Sequence, residues 1–318
     1  MDEIIKKLWG RAKSDPKVIV FPESQDERVI EAVKRIEQEK IAKPLLLTPD
    51  NLKPEHQEEF ASIFFERKKA KGVTFEEARE LMNNPLYYGA MMTRYGSADG
   101  LVAGAAYTTS SVLRAVLGCL EIDKSAGVLS SAFIMIVPNC SYGENGVFVF
   151  ADCSVIPQPS SGQLANIAIS SARFTSKVLG VTPRVAFLSF STKGSAKNKS
   201  IQKVKEAVEI AKSKNSGFSI DGELQADSAL VPEIAARKLS ESEVAGRANV
   251  LIFPDLDSGN ICYKLTQRLA NARAIGPIIL GTVQPCSDLS RGCDVNDIVD
   301  CAAVTVIRAQ EKSKTAKR

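Results

Sequence analysis

Apolar positions along this 318-residue chain alternate between two patterns. Short continuous runs rich in β-branched and aromatic residues, bounded by Pro, Gly or polar side chains, recur at 17–21, 101–102, 147–151, 185–190, 250–253 and 277–280. Such runs predict strands buried on both faces, as in parallel sheets. Between them apolar residues recur every three or four positions: Val29, Ile30, Val33 and Ile36 within 26–40, Ile201, Val204, Val208 and Ala211, then Leu265 and Leu269 within 262–272. That period predicts helices with one core-facing side. Strand and helix in alternation give an α/β architecture, with ligands expected at the carboxyl ends of strands. The Glu- and Lys-rich block 51–79 reads as a surface-lying helical excursion from the first sheet.

Length sets a prior of about two domains. No internal repeat or Gly/Ser-rich tether appears, so the expected lobes are 1–128 plus 286–318 and 129–285, joined by short crossings near 125–140 and 282–290. The second crossing would bring residues 287–300 to a hinge facing the cleft.

The net charge of +4 changes the picture only once it is located. Arg308, Lys312, Lys314, Lys317 and Arg318, against Glu311, carry all of it, and residues 1–307 balance. With 6% aromatic residues, a neutral body has neither the basic stripe nor the stacking platform of a nucleic-acid binder. The tail reads as a solvated helix end. Seven cysteines without a C-x-x-C pair read as reduced thiols of a cytoplasmic protein. The amphipathic, acidic start lacks the pattern of a signal peptide, and no apolar run reaches the length of a membrane span.

A single histidine, His56 in a polar stretch, excludes His-dependent triads for any chemistry here. The base, anion clamp and oxyanion donor must come from clusters such as 287–300, where Ser290, Arg291, Cys293 and several carboxylates surround Gly292. Asp294 is a natural N-cap for the last helix, which makes Asp297 the N3 carboxylate of a capping-box-like start. A helix N-terminus also lowers a carboxylate's pKa, which opposes service as a base. Cys140 and Cys293 are candidate nucleophiles, Cys293 having Arg291 as an activating neighbour, but neither has a histidine partner. Ser189–Ser200 leaves a strand through hydroxyls, lysines and a glycine, which suits an anion or is simply a polar turn with a capping serine; P-loop spacing is absent. Asp255 and Asp257 follow another strand; capping by Asp257 or Ser258 is favoured over a metal site, which wants more oxygen ligands. Residues 221–227 read as an acidic turn.

Taken in order, several segments resemble the phosphate acetyl/butyryltransferase family: Phe65-Glu-Arg-Lys-Lys-Ala-Lys-Gly, Ala98-Asp-Gly-Leu-Val-Ala-Gly, Thr108-Thr-Ser-Ser-Val-Leu-Arg, residues 130–140, Ser191-Thr-Lys-Gly-Ser-Ala-Lys, Asp221-Gly-Glu-Leu-Gln, Val244-Ala-Gly-Arg-Ala-Asn-Val, Phe253-Pro-Asp-Leu-Asp-Ser-Gly-Asn and Asp288-Leu-Ser-Arg-Gly-Cys. The resemblance covers nearly the whole chain. It implies two α/β lobes with mainly parallel sheets and an interlobe cleft, of the isocitrate/isopropylmalate dehydrogenase type, usually in a homodimer. It implies reversible acetyl transfer between coenzyme A and phosphate, with acetyl-CoA and acetyl phosphate as partners and no metal or further cofactor.

Carried over by position, the family's base falls on Asp297, its transition-state hydroxyl on Ser290 and its essential arginine on Arg291. Arg67 and Arg114 match substrate-binding arginines, and Cys140 a cysteine near the site that is not a nucleophile. Ser130, Ser191, Thr192 and Lys193 are expected among the substrate contacts. The chain departs from the family at Tyr107, where histidine is common, at Ser110 and Ser111, where Ala-Asp is common, and at Gln284-Pro-Cys-Ser287, which lacks the usual lysine. Rival readings are transfer of a longer acyl group such as butyryl, and a non-catalytic binder of coenzyme A or acetyl phosphate. A two-lobed dehydrogenase is disfavoured by the absence of G-x-G-x-x-G.

Overall fold

The computed structural model describes residues 2–214, 217–239 and 241–316. Lys317 and Arg318 of the basic tail lie outside them. Among the described residues ten strands run in chain order as β1 (Val18–Phe21), β2 (Lys43–Leu46), β3 (Gly100–Ala103), β4 (Ser130–Ile136), β5 (Val147–Ala151), β6 (Arg184–Leu188), β7 (Ser219–Leu224), β8 (Val250–Ile252), β9 (Arg273–Leu280) and β10 (Cys286–Asp288). Two compact units share them. A terminal unit comprises Asp2–Ile122 with Thr282–Arg318, and a central unit comprises Asp123–Gly281.

In the terminal unit the strand order is β2-β1-β3-β10, and every pairing is parallel. The helix Glu27–Gln38 packs Val29, Ala32 and Ile36 inward and starts where the Asp26 side chain accepts from Arg28 N–H. The last helix, Val295–Ala316, buries an almost continuous run from Ile298 to Ile307. The Glu- and Lys-rich excursion is helical over Pro54–Lys68 and Phe75–Met82, with Phe60, Ala61 and Phe64 turned inward. Arg308 departs from the solvated-tail expectation. Its guanidinium donates to Cys286 O at 3.0 Å, and burial lowers its pKa.

In the central unit the order is β9-β4-β5-β8-β6-β7. β5, β8, β6 and β7 are parallel, whereas β4 runs antiparallel to both β5 and β9. The sheet is mainly parallel, as expected, with β4 as the antiparallel strand. Every residue of β4 is buried, although it opens on two serines, because Ser131 is bonded to Asp152. Residues 221–224, expected as a turn, belong to β7, which tolerates their polarity because Asp221 and Glu223 find donors.

The helix Leu256–Leu269 is capped by Asp255, whose Oδ1 accepts from Ser258 N–H at 2.9 Å, rather than by Asp257 or Ser258. It buries Gly259 and Tyr263, the latter stacked on Phe133 at 4.1 Å. Leu265 and Leu269, expected in the core, are 52% and 81% exposed. Periodicity identifies an apolar stripe but not what covers it.

Candidate active site

Three neighbouring strands of the terminal unit, β1, β3 and β10, end on the same side because they are parallel. Their carboxyl ends deliver Glu23, the segment Gly104–Thr108, and Asp288-Leu289-Ser290-Arg291. Parallel α/β sheets bind ligands at such ends, where loops are free to vary while the strands hold them in place.

Glu23 organises the first of these loops. Its carboxylate accepts from four successive backbone N–H groups: Gly104 (3.2 and 3.0 Å), Ala105 (3.1 Å), Ala106 (2.7 Å) and Tyr107 (2.9 Å). An anion nest of this kind is thus filled by the protein's own carboxylate. The turn needs a glycine at 104, where φ is +110° and a Cβ would lie 2.5 Å from Asp288 Oδ1 and 2.6 Å from Leu289 N. The loop continues into the helix Thr109–Cys119, capped by Thr108 Oγ1.

Arg28 binds this loop to the next. Asp26 holds its guanidinium through Nε (3.0 Å) and Nη2 (2.7 Å), and this hydrogen bonding takes the Asp26 carboxyl below its usual range. The remaining donors reach Ala105 O (2.9 Å), Arg291 O (2.8 Å) and Cys293 O (2.8 Å). One side chain therefore fixes the backbone at Arg291 and two residues beyond it. Its own guanidinium is left exposed. Ser290 is half-buried, and its Oγ accepts from Gly292 N–H at 3.3 Å.

Asp294 and Asp297 form the reciprocal capping box: Asp294 N–H donates to Asp297 Oδ2 (3.1 Å), and Asp297 N–H to Asp294 Oδ1 (2.9 Å). Ser290, Arg291 and Asp297 thus come together on one loop and one helix start. Cys293 does not join them as a nucleophile. Burial pushes its thiol up to about 12 against the favourable charge of Arg28, the reverse of the activation expected from Arg291.

Arg67 lies on the helix Pro54–Lys68 and donates to Cys119 O at 2.7 Å, at the end of the helix that carries Arg114. Arg114 itself is exposed. Of the departures from the family, Tyr107 Oη donates to Asn84 Oδ1 (3.2 Å), Gln284 accepts from Glu121 N–H (3.3 Å), and Ser287 Oγ meets Thr305 Oγ1 (2.9 Å). Gln284 and Ser287 are buried in the unit's interior. His56 sits 3.4 Å from Tyr88 Oη, on the helical excursion.

In the central unit Ser130 is fully buried at the start of β4, its Oγ without a hydrogen-bond partner. Ser191, Thr192 and Lys193 follow β6 at the same end of that sheet, because β4 opposes β5, which parallels β8 and β6. Their polar groups are engaged internally. Ser191 Oγ donates to Glu223 (2.9 Å), Thr192 Oγ1 accepts from Gln225 N–H (2.9 Å), and Lys193 Nζ pairs with Asp221. No serine caps the following helix; Asn198 does. Lys193 and Asp221 also line an open pocket of about 510 Å³ with Lys212 and Ser242. Cys140 lies beyond the far end of β4, roughly 20 Å of strand from Ser130, and packs on the core. The structure therefore separates Cys140 from the other central-unit candidates.

Glu23, Arg28, Gly104 and Asp288 went unread in the sequence. The available signal was positional, since Glu23, Gly104 and Asp288 each stand at or within two residues of the end of a parallel strand. Among the described residues no three His, Cys, Asp or Glu side chains are grouped to hold a metal ion, and no helix is long and apolar enough to cross a membrane.

The family described as Phosphate acetyl/butaryl transferase matches residues 3–306. A phosphate acetyltransferase of Acetivibrio thermocellus is 48% identical over 96% of this chain and 98% of its own length. The crystal structure of a phosphotransacetylase from Streptococcus pyogenes superposes with a TM-score of 0.90 at 36% identity, covering 98% of this chain and 99% of that one. A Salmonella typhimurium structure assigned as a 4-hydroxythreonine-4-phosphate dehydrogenase shares the fold alone, with a TM-score of 0.51 at 11% identity over 93% of this chain and 99% of that one. The chain belongs to the phosphate acetyl/butaryl transferase family.

Proposed function

We infer that the chain catalyses reversible transfer of an acetyl group between coenzyme A and inorganic phosphate, by direct attack of the thiol on acetyl phosphate in a ternary complex. The observation that carries the assignment of residues is the Ser290-Arg291 loop at the carboxyl end of β10, whose Arg291 and Cys293 carbonyls are held by Arg28. A fixed backbone with an exposed guanidinium suits a phosphate, which arginine grips through paired charge-assisted hydrogen bonds. Ser290 is the hydroxyl donor for the oxyanion as sulfur adds to the carbonyl carbon. The C–O bond to phosphate then breaks, and phosphate leaves on Arg291.

Asp297 takes the thiol proton as the C–S bond forms. A free thiol with pKa near 8.5 is only a few percent ionised at pH 7, so a base contributes at the moment of attack. The capping box orients that carboxylate, although a helix N-terminus weakens it as a base. Arg67 and Arg114, with Ser130 and Ser191–Lys193, are proposed to hold the substrates. The transfer changes no oxidation state, and these groups supply its clamp, donor and base without a metal or further cofactor.

The free cysteines suit the cytoplasm. A homodimer is supported by Ile261, Leu265 and Leu269, which form an apolar stripe 57%, 52% and 81% exposed on one helix face. Light scattering should give twice the chain mass, and Leu265→Glu should give monomers.

The reaction is tested by coenzyme A-dependent release of phosphate from acetyl phosphate. Arg291→Ala and Ser290→Ala should each lower kcat/KM by about 100-fold or more with folding retained. Near-normal turnover in either removes that residue from the mechanism, and no turnover in the unaltered protein removes the mechanism itself.

A further inference from the structure

Six carboxylates are buried among the described residues: Glu23, Asp152, Asp221, Glu223, Asp288 and Asp300. Five have donors. Glu23 holds the nest described above. Asp152 accepts from the N–H groups of Ser131, Ser154, Val155 and Ile156. Glu223 has Ser191 and Gly194, Asp221 has Lys193, Ser242 and Gly222, and Asp300 accepts from Trp9 Nε1 at 2.9 Å. Asp288 is the exception: it is fully buried, and neither oxygen has a partner in hydrogen-bond geometry.

Its surroundings give an ionised carboxylate no compensation. From β3 comes Gly104, packed against Oδ1. From the end of β1 comes Glu23, a like charge. From the helix Thr109–Cys119 comes the Thr109 hydroxyl, the one group that partly favours ionisation. On β10 itself there is the Cys286 thiol. The nearby cations are committed elsewhere: Arg28 to Asp26 and three carbonyls, and Arg308 to Cys286 O. Burial, reinforced by Glu23, raises the Asp288 carboxyl to about 7. A buried carboxyl with no partner in hydrogen-bond geometry and a like charge beside it is cheaper neutral than charged.

The location gives that neutrality a consequence. Asp288 is the last residue of β10, and the next N–H, that of Leu289, is held by Ala103 O at 2.6 Å. Ser290 and Arg291 follow directly. We propose that Asp288 is a positioning residue: as a neutral acid packed on Gly104 it sets how β10 hands over to Ser290 and Arg291, and its ionisation beside Glu23 displaces that loop. The proposal rests on the reading of Ser290 and Arg291 as reacting-site residues.

The sign of the pH dependence follows from linkage. A carboxyl whose folded pKa is raised contributes stability that is present below its unfolded value near 3.9 and is lost as pH rises through about 7. Asp288→Asn keeps the shape of the neutral acid and cannot ionise. Between pH 5.5 and 8.5 the melting temperature of the unaltered protein should fall by roughly 4 °C more than that of Asp288→Asn. The ratio of kcat/KM at pH 8.5 to that at pH 6.5 should be about threefold or more higher in Asp288→Asn, while Asp288→Ala should lose about tenfold in kcat at both pH values.

Superimposable pH–rate profiles for Asp288→Asn and the unaltered protein would overturn the proposal, even with the melting difference present, because Asp288 would then be structural only. Loss of turnover in Asp288→Asn at pH 6.5 with unchanged melting would also overturn it, making Asp288 a proton-transferring group. If Ser290→Ala and Arg291→Ala turn over normally while the Asp288→Asn profile still shifts, the underlying site reading has failed instead. Should Asp288→Asn not fold, Glu23→Gln answers the same question. Removing the neighbouring charge should move the melting transition with pH to lower pH, and an unmoved transition would refute the coupling.

Discussion

Two strand-end loops, one in each unit, are built around buried carboxylates, and they resolve the cost of burying charge in opposite ways. In the central unit Asp221 and Glu223 on β7 meet Lys193, Lys205 and Lys212, the hydroxyls of Ser191 and Ser242, and the N–H of Gly194. Burial raises the Asp221 carboxyl, but the bonds from Lys193 and Ser242 together outweigh it and leave it below its usual range. In the terminal unit Glu23 is met by backbone dipoles alone, and Asp288 only by the Thr109 hydroxyl, outside hydrogen-bond geometry. One loop is electrostatically complete, while the other retains an imbalance beside Ser290 and Arg291. Incomplete compensation of this kind marks functional sites more often than scaffolds.

The largest expected effect separates the two glycines that turn these loops. Gly104→Ala places a Cβ against Asp288 and the Leu289 backbone at a φ of +110°, whereas at Gly194 the nearest atom to a Cβ is Lys205 Nζ at 3.7 Å. Overpacking and left-handed strain add at Gly104, about 4 kcal/mol in all, while Gly194→Ala costs only the backbone preference, about 1 kcal/mol. Urea unfolding of both variants checks this. Equal losses would mean that the terminal-unit loop is no tighter than its counterpart.

Next come the nest carboxylates. In Glu23→Gln one carboxylate oxygen becomes an NH2 facing the N–H groups of Gly104 and Ala105, for a loss of roughly 2–3 kcal/mol. In Glu223→Gln the amide oxygen can keep both bonds of Oε1, and only a 3.9 Å ion pair with a half-exposed lysine is lost, about 0.5 kcal/mol. Thermal melts at neutral pH measure the pair, and a larger loss in Glu223→Gln would reverse the comparison.

How much of this was legible in the sequence depended on the range of the interaction. The runs at 147–151 and 250–253 are strands almost to the residue, and Asp294 with Asp297 forms the expected capping box, because period and capping are local. β4 and β7 were missed as strands because their serines and carboxylates look like loop until partners distant in sequence satisfy them. Leu265 and Leu269 were misplaced because a stripe facing water and one facing a core share the same spacing. The roles of Ser290, Arg291 and Asp297 were readable only through family likeness. The roles of Glu23 and Asp288 left only a positional mark at strand ends, since the four N–H groups that one collects and the poor compensation of the other arise from neighbours about 80 to 185 residues away.

The smallest effect is also the sharpest test of sign. Lys193→Ala removes one partner of Asp221, which retains Ser242 at 2.6 Å, Gly222 N–H at 2.9 Å and Lys212 at 3.9 Å. The Lys193 side chain is 40% exposed, so screening limits the loss to about 1 kcal/mol at pH 7. Because the Asp221 carboxyl is depressed in the folded protein, the stability it contributes is present above the unfolded value near 3.9 and disappears as pH falls through the lower folded value. The gap between the unaltered protein and Lys193→Ala should therefore close on acidification. The gap set by Asp288 has the opposite sign: as pH rises through about 7 the unaltered protein becomes the less stable of the pair. Melting curves of the two variants from pH 3 to pH 8.5 should diverge from the unaltered protein in opposite directions, Lys193→Ala below it and Asp288→Asn above it, and in separate pH windows: one loses an ion pair that only a charged carboxylate can make, and the other escapes a charge that only the unaltered protein can acquire. A Lys193→Ala gap that persists undiminished at pH 3 would show that Lys193 acts there by packing rather than by charge, and would erase the electrostatic half of the contrast.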